Sequence, residues 1–162
     1  MKRWFITISK LIVVTLIVSL AGSYFVLRSS LPTLQGDISA QVDQPVTVTR
    51  DNLGVPTLIA QSRGDLSFAL GYLHGQERFF QMDLLRRNSA GELAELFGPV
   101  AVNHDKKIRA HQFRKRASRY LSNLSKAQLG ILFSYTAGVN QGLDDLSLKP
   151  FEYFLLNKPT VR

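Results

Sequence analysis

The chain has 162 residues, 45% hydrophobic and 20% charged, which suffices for about one domain and excludes a collagen-like or wholly disordered protein. It contains no cysteine, which excludes a disulfide framework, a thiolate zinc site and a cysteine nucleophile. The formal net charge is +8. Residues 1–28 contain basic side chains and no acidic one, so about half of this charge belongs to the N-terminus.

An uncharged apolar run occupies residues 11–27, long enough as a helix (about 26 Å) to reach the lower limit for crossing a membrane. The basic residues before it are Lys2, Arg3 and Lys10. The positive-inside rule therefore predicts a cytoplasmic N-terminus, membrane contact through residues 11–27, and export of the bulk of the chain to a periplasm-like compartment. We interpret residues 1–28 as an uncleaved signal anchor. A signal peptide cleaved near Ala21-Gly22-Ser23 and a buried core helix are the alternatives.

The composition then changes twice. Residues 29–45 are rich in Ser, Pro, Gly, Gln and Asp, which predicts a spacer between the membrane and a folded region at 46–162. Within that region, two extended runs flank the turn sequence that ends at Gly54, so residues 46–60 are predicted to form a β-hairpin. Pro56 cannot donate a hydrogen bond to a ladder, which places it at a strand start or a sheet edge.

From Asp65 onward the apolar residues recur with a helical period. Helices are predicted near 65–87, 89–97, 105–121 and 126–143, with a short apolar segment after Pro150. Asp65 is the expected N-cap of the first helix, and capping-box patterns starting at Ser89 and Ser125 are expected to open the second and fourth. Gly98 suits the C-cap of the second helix.

The predicted fold class is α+β, with one β-hairpin and about four helices. Two strands do not make a self-sufficient sheet, and the first helix is apolar around most of its circumference. Exposed apolar patches are therefore expected around Phe68, Tyr72, Phe79, Phe80, Leu84 and Leu85. We interpret Gly71 and Gly75 as positions where another backbone approaches closely, rather than as a phosphate-binding loop.

Chemical motifs are sparse. His104 and His111 are seven residues apart with Asp105 nearby, but no metal-ligand spacing such as HExxH occurs, and surface or lightly packed histidines are expected. There is no serine-hydrolase elbow, phosphate-binding loop or dinucleotide fingerprint. The residues alone therefore assign no catalytic, cofactor-binding or metal-binding side chain.

A basic run without acidic residues lies between positions 106 and 119. It contains Lys106, Lys107, Arg109, Arg114, Lys115, Arg116 and Arg119. We interpret it as a solvated helix face, with contact to lipid or another anion and a nucleic-acid surface as the alternatives. Export of this region would argue against nucleic acid, so no nucleic-acid partner is predicted.

Six segments follow one another in a recognisable order. They are residues 46–51 with 54–56, 69–87, 91–98, Asp105 with Arg109, 135–140 and 150–153. Together they resemble the early α-chain region of the penicillin acylase (penicillin amidase) family of N-terminal-nucleophile hydrolases, over about residues 46–160. Thr57 stands where the family often has His, and Gly75 where Ala is usual; neither position belongs to the chemistry.

The resemblance implies a partial piece of an αββα fold and a precursor that is cut into α and β chains. The nucleophile would be the first serine of the β chain, with its own α-amine as the base. The substrates would be linear amides, such as acyl side chains of β-lactams or N-acyl-homoserine lactones. Calcium would be held in the full-length enzyme mostly by β-chain carboxylates, with one ligand from the late α chain.

Because the resemblance is confined to the early α chain, it assigns no catalytic or metal residue here. We expect this chain to be an N-terminal fragment that is inactive alone and needs a β chain, which would cover the apolar first helix and extend the hairpin's sheet. The alternative is a non-catalytic, membrane-tethered helical binding or scaffold module with a basic face.

Overall fold

The structure is a computed structural model that describes residues 2–158 and residue 160, without the side chains of residues 2, 3, 5 and 6. The end of the predicted 46–162 region, residues 159, 161 and 162, lies outside the described residues. Helix α1 covers Lys2–Ser29. Its segment Thr7–Ser29 is long and apolar enough to cross a membrane, with a mean hydropathy of 2.1 and none of it buried against the rest of the chain. This helix could be a signal or an anchor.

The predicted hairpin is confirmed. Strands β1 (Thr47–Arg50) and β2 (Pro56–Ile59) pair antiparallel. In the turn, Asp51 Oδ1 accepts hydrogen bonds from the backbone N–H groups of Leu53 (2.9 Å) and Val55 (2.8 Å), and Gly54 adopts a positive φ of 79°. Pro56 begins its strand, as its missing N–H requires.

The predicted helical segments are present but divided. They are α2 (Arg63–Glu77), α3 (Phe79–Ala90), α4 (Ala94–Phe97), a 3-10 turn (Gly98–Ala101), α5 (Val102–Arg109), α6 (Phe113–Leu121), α7 (Lys126–Asp144) and α8 (Phe151–Leu156). The expectation of one helix over 65–87 was wrong, because the backbone leaves helical geometry at Arg78 (φ −133°, ψ 11°). The expected helix over 105–121 is likewise broken, since Gln112 adopts a left-handed conformation between α5 and α6.

Two of the predicted caps were wrong and two are confirmed. Ser62, not Asp65, caps α2, because its hydroxyl accepts the Asp65 N–H at 3.0 Å. The pattern at Ser89 opens no helix, since Gly91 ends α3 in a left-handed conformation. The capping box at Ser125 opens α7, and Gly98 is the C-cap of α4. Both patterns failed because Asp65 and Ser89 lie inside α2 and α3 rather than before the first turn of a helix.

Helices α2 and α7 pack backbone against backbone through four glycines, which confirms the interpretation of Gly71 and Gly75. A Cβ atom at any of them would overlap a carbonyl oxygen of the facing helix. The pairs are Gly71 with Tyr135, Gly75 with Val139, Gly138 with Phe68, and Gly142 with Tyr72. A face of α2 that we expected a missing chain to cover is thus covered by α7 of the same chain.

The core lies where α7 meets α3, α4 and α8. It contains Phe79, Leu96, Val139, Leu143, Leu146 and Tyr153. Of the six side chains for which exposure was expected, three are buried, Phe80 and Leu84 are half-buried, and Leu85 is 67% exposed. Large exposed apolar side chains also occur on other elements, including Leu53, Phe133 and Leu155.

Residues 30–45 form no helix or strand, yet hydrogen bonds hold them against α2 and α7. The Thr33 N–H donates to Gln76 Oε1 at 3.2 Å, and the Asp43 N–H donates to Asp65 Oδ1 at 2.8 Å. Gln141 Nε2 donates to the Ser39 carbonyl at 2.8 Å. The segment that follows α1 is therefore held in place by helices α2–α8, which we call the helical body.

Candidate functional site

The most highly organised polar cluster surrounds Arg87, whose side chain is 2% exposed. Its Nε donates to Asp83 Oδ2 at 2.8 Å, and its Nη1 pairs with the Glu95 carboxylate. Tyr153 donates its hydroxyl to the same Asp83 oxygen at 2.7 Å, while Arg86 pairs with Asp83 Oδ1. We call these five residues the Arg87 cluster. It joins α3 to α8 and to the α4 region.

The hydrogen bonds of the Arg87 cluster set its charges. Burial disfavours the Asp83 carboxylate, but the bonds from Arg87, Tyr153 and Arg86 outweigh burial and hold its pKa below the usual value. Burial and the adjacent Asp83 charge raise the pKa of Tyr153 well above that of a free tyrosine. Asp83 is therefore a carboxylate and Tyr153 a neutral donor at neutral pH.

A second polar anchor holds α5 against the start of α4. Asp105, which is 3% exposed, accepts the backbone N–H groups of Leu93 (3.1 Å) and Ala94 (2.7 Å). Because these N–H groups lack helical partners, the carboxylate acts as a cap supplied from another helix. Arg109 Nε donates to the Gly91 carbonyl at 2.8 Å from the same side. Asp105 and Arg109 are thus positioning residues.

The histidines lie apart. His74 Nδ1 is 2.9 Å from the Tyr135 hydroxyl, His104 Nε2 is 2.6 Å from Asn88 Oδ1, and His111 stacks on Phe113. Within the described residues, no group of three or more His, Asp and Glu side chains is arranged to hold a metal ion. No serine hydroxyl in the same part of the chain hydrogen-bonds to a histidine or lysine; Ser62 contacts Asp65 only as the cap of α2.

A cleft of about 250 Å³ opens at the α2–α3 junction. Its walls include Leu31 and Pro32 from the chain after α1, Arg78 and Phe79 from the junction, and Phe151 from α8. Phe79 also contributes to the core, so the junction joins the chain after α1 to the packed interior. The cleft therefore lies at the helix break at Arg78.

The basic run predicted near 106–119 is mostly solvent-exposed. Arg109 is engaged with Gly91, and Arg114 forms a two-pronged ion pair with Glu92. Glu92 thus pairs with Arg114 rather than capping a helix. The remaining cations form no ion pair in the described part of the chain: Lys106, Lys107, Lys115, Arg116 and Arg119.

The sequence alone did not reveal the Arg87 cluster, because no motif links the acidic residues Asp83 and Glu95. One local signal was available, since Asp83 and Arg87 are four residues apart on a helix and so share a face. The contact with Tyr153 had no local signal, because 70 residues separate the two partners.

Comparison with known proteins gives these contacts a context. The sequence profile of penicillin amidases matches residues 45–161. This chain belongs to the penicillin amidase family. The Arg87 cluster draws on three of the family-like segments, and the Asp105 anchor joins two of them. In this chain, side-chain contacts therefore join four of the six family-like segments.

Named relatives agree with this assignment. The penicillin acylase 2 proenzyme of Pseudomonas sp. (strain SE83) is 37% identical over 131 residues, which are 80% of this chain and 17% of the proenzyme. The penicillin G acylase of Escherichia coli is 31% identical over 121 residues, which are 75% of this chain and 14% of that enzyme. The acyl-homoserine lactone acylase QuiP of Pseudomonas aeruginosa is 36% identical over 97 residues, covering 60% of this chain and 12% of the acylase.

The predicted fold class is confirmed by a solved relative. The thermostable penicillin G acylase from Alcaligenes faecalis, in its tetragonal form, matches with a TM-score of 0.65 and 34% identity. The match covers 74% of this chain and 66% of that chain. This chain spans about a sixth of the length of the Pseudomonas proenzyme and of the Escherichia coli acylase.

Proposed function

We propose that this chain supplies the N-terminal, α-chain-like part of an amidohydrolase that cleaves linear amides, such as acyl side chains of β-lactams or N-acyl-homoserine lactones. The observation that carries the proposal is the family match over residues 45–161, together with relatives named for both substrate classes. The chain's part in the reaction would be structural, since the described residues present no paired nucleophile and base.

Catalysis would depend on a β-chain-like segment that brings a terminal serine whose own amine serves as the base. One relative is named a proenzyme, which agrees with a second segment made in the same precursor. The exposed apolar side chains would then form part of the surface that this segment covers. They lie on the hairpin and α7 and include Val55, Ile59 and Phe133.

Calcium would belong to the complete enzyme rather than to the residues described here. Calcium requires six to eight oxygen ligands, several of them carboxylates. Asp83 and Asp105 are already occupied by arginine, tyrosine and backbone donors. The complementary segment would therefore have to supply most of the ligands.

We propose that α1 anchors the chain with its N-terminus in the cytoplasm and carries the helical body across the membrane, as the basic residues before the apolar run favour. The exposed cations of α5 and α6 favour one competing function, a tethered binding module without catalysis.

A complementation experiment distinguishes the amidase function from the tethered binding function. This chain is co-produced with the part of the Pseudomonas penicillin acylase 2 proenzyme that follows its matched region, so that the late α-chain tail is included. Hydrolysis of a chromogenic phenylacetyl or fatty-acyl amide is expected from the pair and from neither part alone. An Arg87→Ala variant, expected to misplace α3 and α8, should lose turnover, whereas the exposed-site control Lys126→Ala should retain it. Turnover by this chain alone, or a correctly assembled but inactive pair, would contradict the proposal.

A further inference from the structure

The short helix α8 is amphipathic in an unusual sense, because its exposed face is the apolar one. Phe154 and Leu155 follow Phe151 by three and four positions, so the three side chains share one face of the helix. They are 43%, 52% and 79% exposed. On the opposite face, Tyr153 is 3% exposed and donates its hydroxyl to Asp83. The helix is thus fixed to the body with its apolar side chains pointing outward.

The position of α8 relative to the end of α1 is also fixed. The Leu148 N–H donates to the carbonyl of Ser29, the last residue of α1, at 3.1 Å. The first residue of α8, Phe151, follows Leu148 by three positions, and three extended residues reach at most about 10 Å. The cleft at the α2–α3 junction has Leu31 on one wall and Phe151 on another. Helix α8 therefore begins beside the point where the chain leaves α1.

The length of α1 sets the level of that point. The 23 residues of Thr7–Ser29 extend about 35 Å, slightly more than the roughly 30 Å hydrocarbon core of a bilayer. If α1 crosses the membrane, Ser29 lies at the headgroup level and Leu148 lies with it. Ser30, 7% exposed, and the bond from Thr33 to Gln76 keep the body from swinging away on a loose tether.

We propose that α8 is a membrane-interface helix that inserts Phe151, Phe154 and Leu155 among the lipid headgroups and upper acyl chains of the membrane crossed by α1. Aromatic and leucine side chains are typical of the buried face of such helices. Lys158 follows α8 and places a cation at the end of the helix, where anionic headgroups would lie, whereas Lys149 before the helix is paired with Asp144. The orientation of the body, and with it the opening of the cleft, is then set relative to the bilayer. This inference rests on the membrane anchor of the proposed function.

The test uses the absence of cysteine, because one introduced cysteine carries one spin label without side reactions. The full chain is reconstituted in lipid nanodiscs with a label at Leu155→Cys. Collision with oxygen, which concentrates in the bilayer, is compared with collision with an aqueous nickel chelate. Leu53→Cys, on the 88% exposed hairpin turn, is the matched control, and Leu16→Cys reports the insertion of α1.

We expect the label at position 155 to lose chelate accessibility and gain oxygen accessibility relative to the label at position 53. Equal accessibilities at the two positions, with position 16 inside the bilayer, would overturn the inference and leave the anchor intact. A label at position 155 shielded from both reagents would mean that protein covers α8, which also overturns it. If position 16 is not in the bilayer, both the anchor and the inference fail, while the complementation assay still decides the proposed amidase function.

Discussion

The Tyr153 hydroxyl donates a 2.7 Å hydrogen bond to Asp83 Oδ2, joining two residues that are 70 positions apart in the chain. Both side chains are buried, and Asp83 is an ion-pair partner of Arg87 at the same time. A buried carboxylate with several donors is stable only while the donors remain in place. The attachment of α8 to the body therefore depends on this contact.

Replacing Tyr153 by phenylalanine should lower the free energy of unfolding by about 1–3 kcal/mol, because a hydrogen bond to a charged group is lost in the interior. Urea denaturation of the detergent-solubilised chain measures the change. Tyr120→Phe removes the same atom from a 66% exposed side chain and should change stability by less than about 0.5 kcal/mol. Equal effects from the two variants would show that the Asp83 contact contributes nothing.

The Arg87 cluster also predicts how stability depends on pH. The pKa of Asp83 is lower in the folded chain than its ordinary value of 3.8. Its contribution to stability is thus fully present above that value and is lost as the pH falls through the lower folded-state pKa. The pKa of Asp65 is lowered in the same direction, chiefly by its hydrogen bond with Ser62, and adds to the acid sensitivity.

The Arg86→Gln variant tests how much of the acid sensitivity comes from Asp83. Arg86 is half-exposed, so its loss should cost less than about 1 kcal/mol at neutral pH. Removing this donor raises the folded-state pKa of Asp83 toward its ordinary value. The acid-induced loss of stability should therefore be smaller, and should be complete at a higher pH, than in the unmodified chain. Unfolding free energies measured from pH 7 to pH 2 test the shift, and superimposable profiles would refute it.

The glycine contacts between α2 and α7 predict opposite effects for the same substitution at two positions. Gly75→Ala places a Cβ against the Val139 carbonyl, and a backbone that cannot yield easily should cost about 1–3 kcal/mol or more. Gly130→Ala, also in a helix but with nothing within 4 Å of the new Cβ, should stabilise by up to about 1 kcal/mol. Thermal unfolding of both variants gives the comparison, and destabilisation of similar size at both positions would contradict close packing as the cause.

The topology of α1 is open to a reporter assay. A phosphatase that is active only after export, fused after Gly36, should be active, because the basic residues before the apolar run keep the N-terminus in the cytoplasm. Replacing those three residues, Lys2, Arg3 and Lys10, by glutamate should reduce the exported fraction. A phosphatase that is inactive in the original fusion while a cytoplasmic reporter fluoresces there would reverse the assignment.

Local sequence patterns predicted the features that local contacts decide. The hairpin follows from the turn at Asp51, whose side chain bonds two nearby N–H groups, and α7 begins where Ser125 and Gln128 cap each other. The break at Arg78 was missed because the apolar period continues through it without a glycine or proline. Only packing against the rest of the body distinguishes two helices from one at that point.

Long-range contacts account for the rest of the candidate site. The glycine spacing at Gly71 and Gly75 indicated that a backbone would approach, but not that α7 would supply it. The hydrogen bonds that join residues 30–45 to Asp65, Gln76 and Gln141 had no signal in composition, because the segment contributes only backbone N–H and C=O groups, which free linkers also carry.

The packing of α2 against α7 also determines when the body can form during synthesis. Gly142, which contacts Tyr72, is 67 residues behind Gly75 in the chain. At about 5–20 residues per second, a ribosome needs roughly 3–13 s to add them. Throughout that interval α2 has no partner helix, while the apolar residues on either side of its glycines are already made. Nascent α2 is therefore exposed to aggregation for several seconds before its partner helix exists.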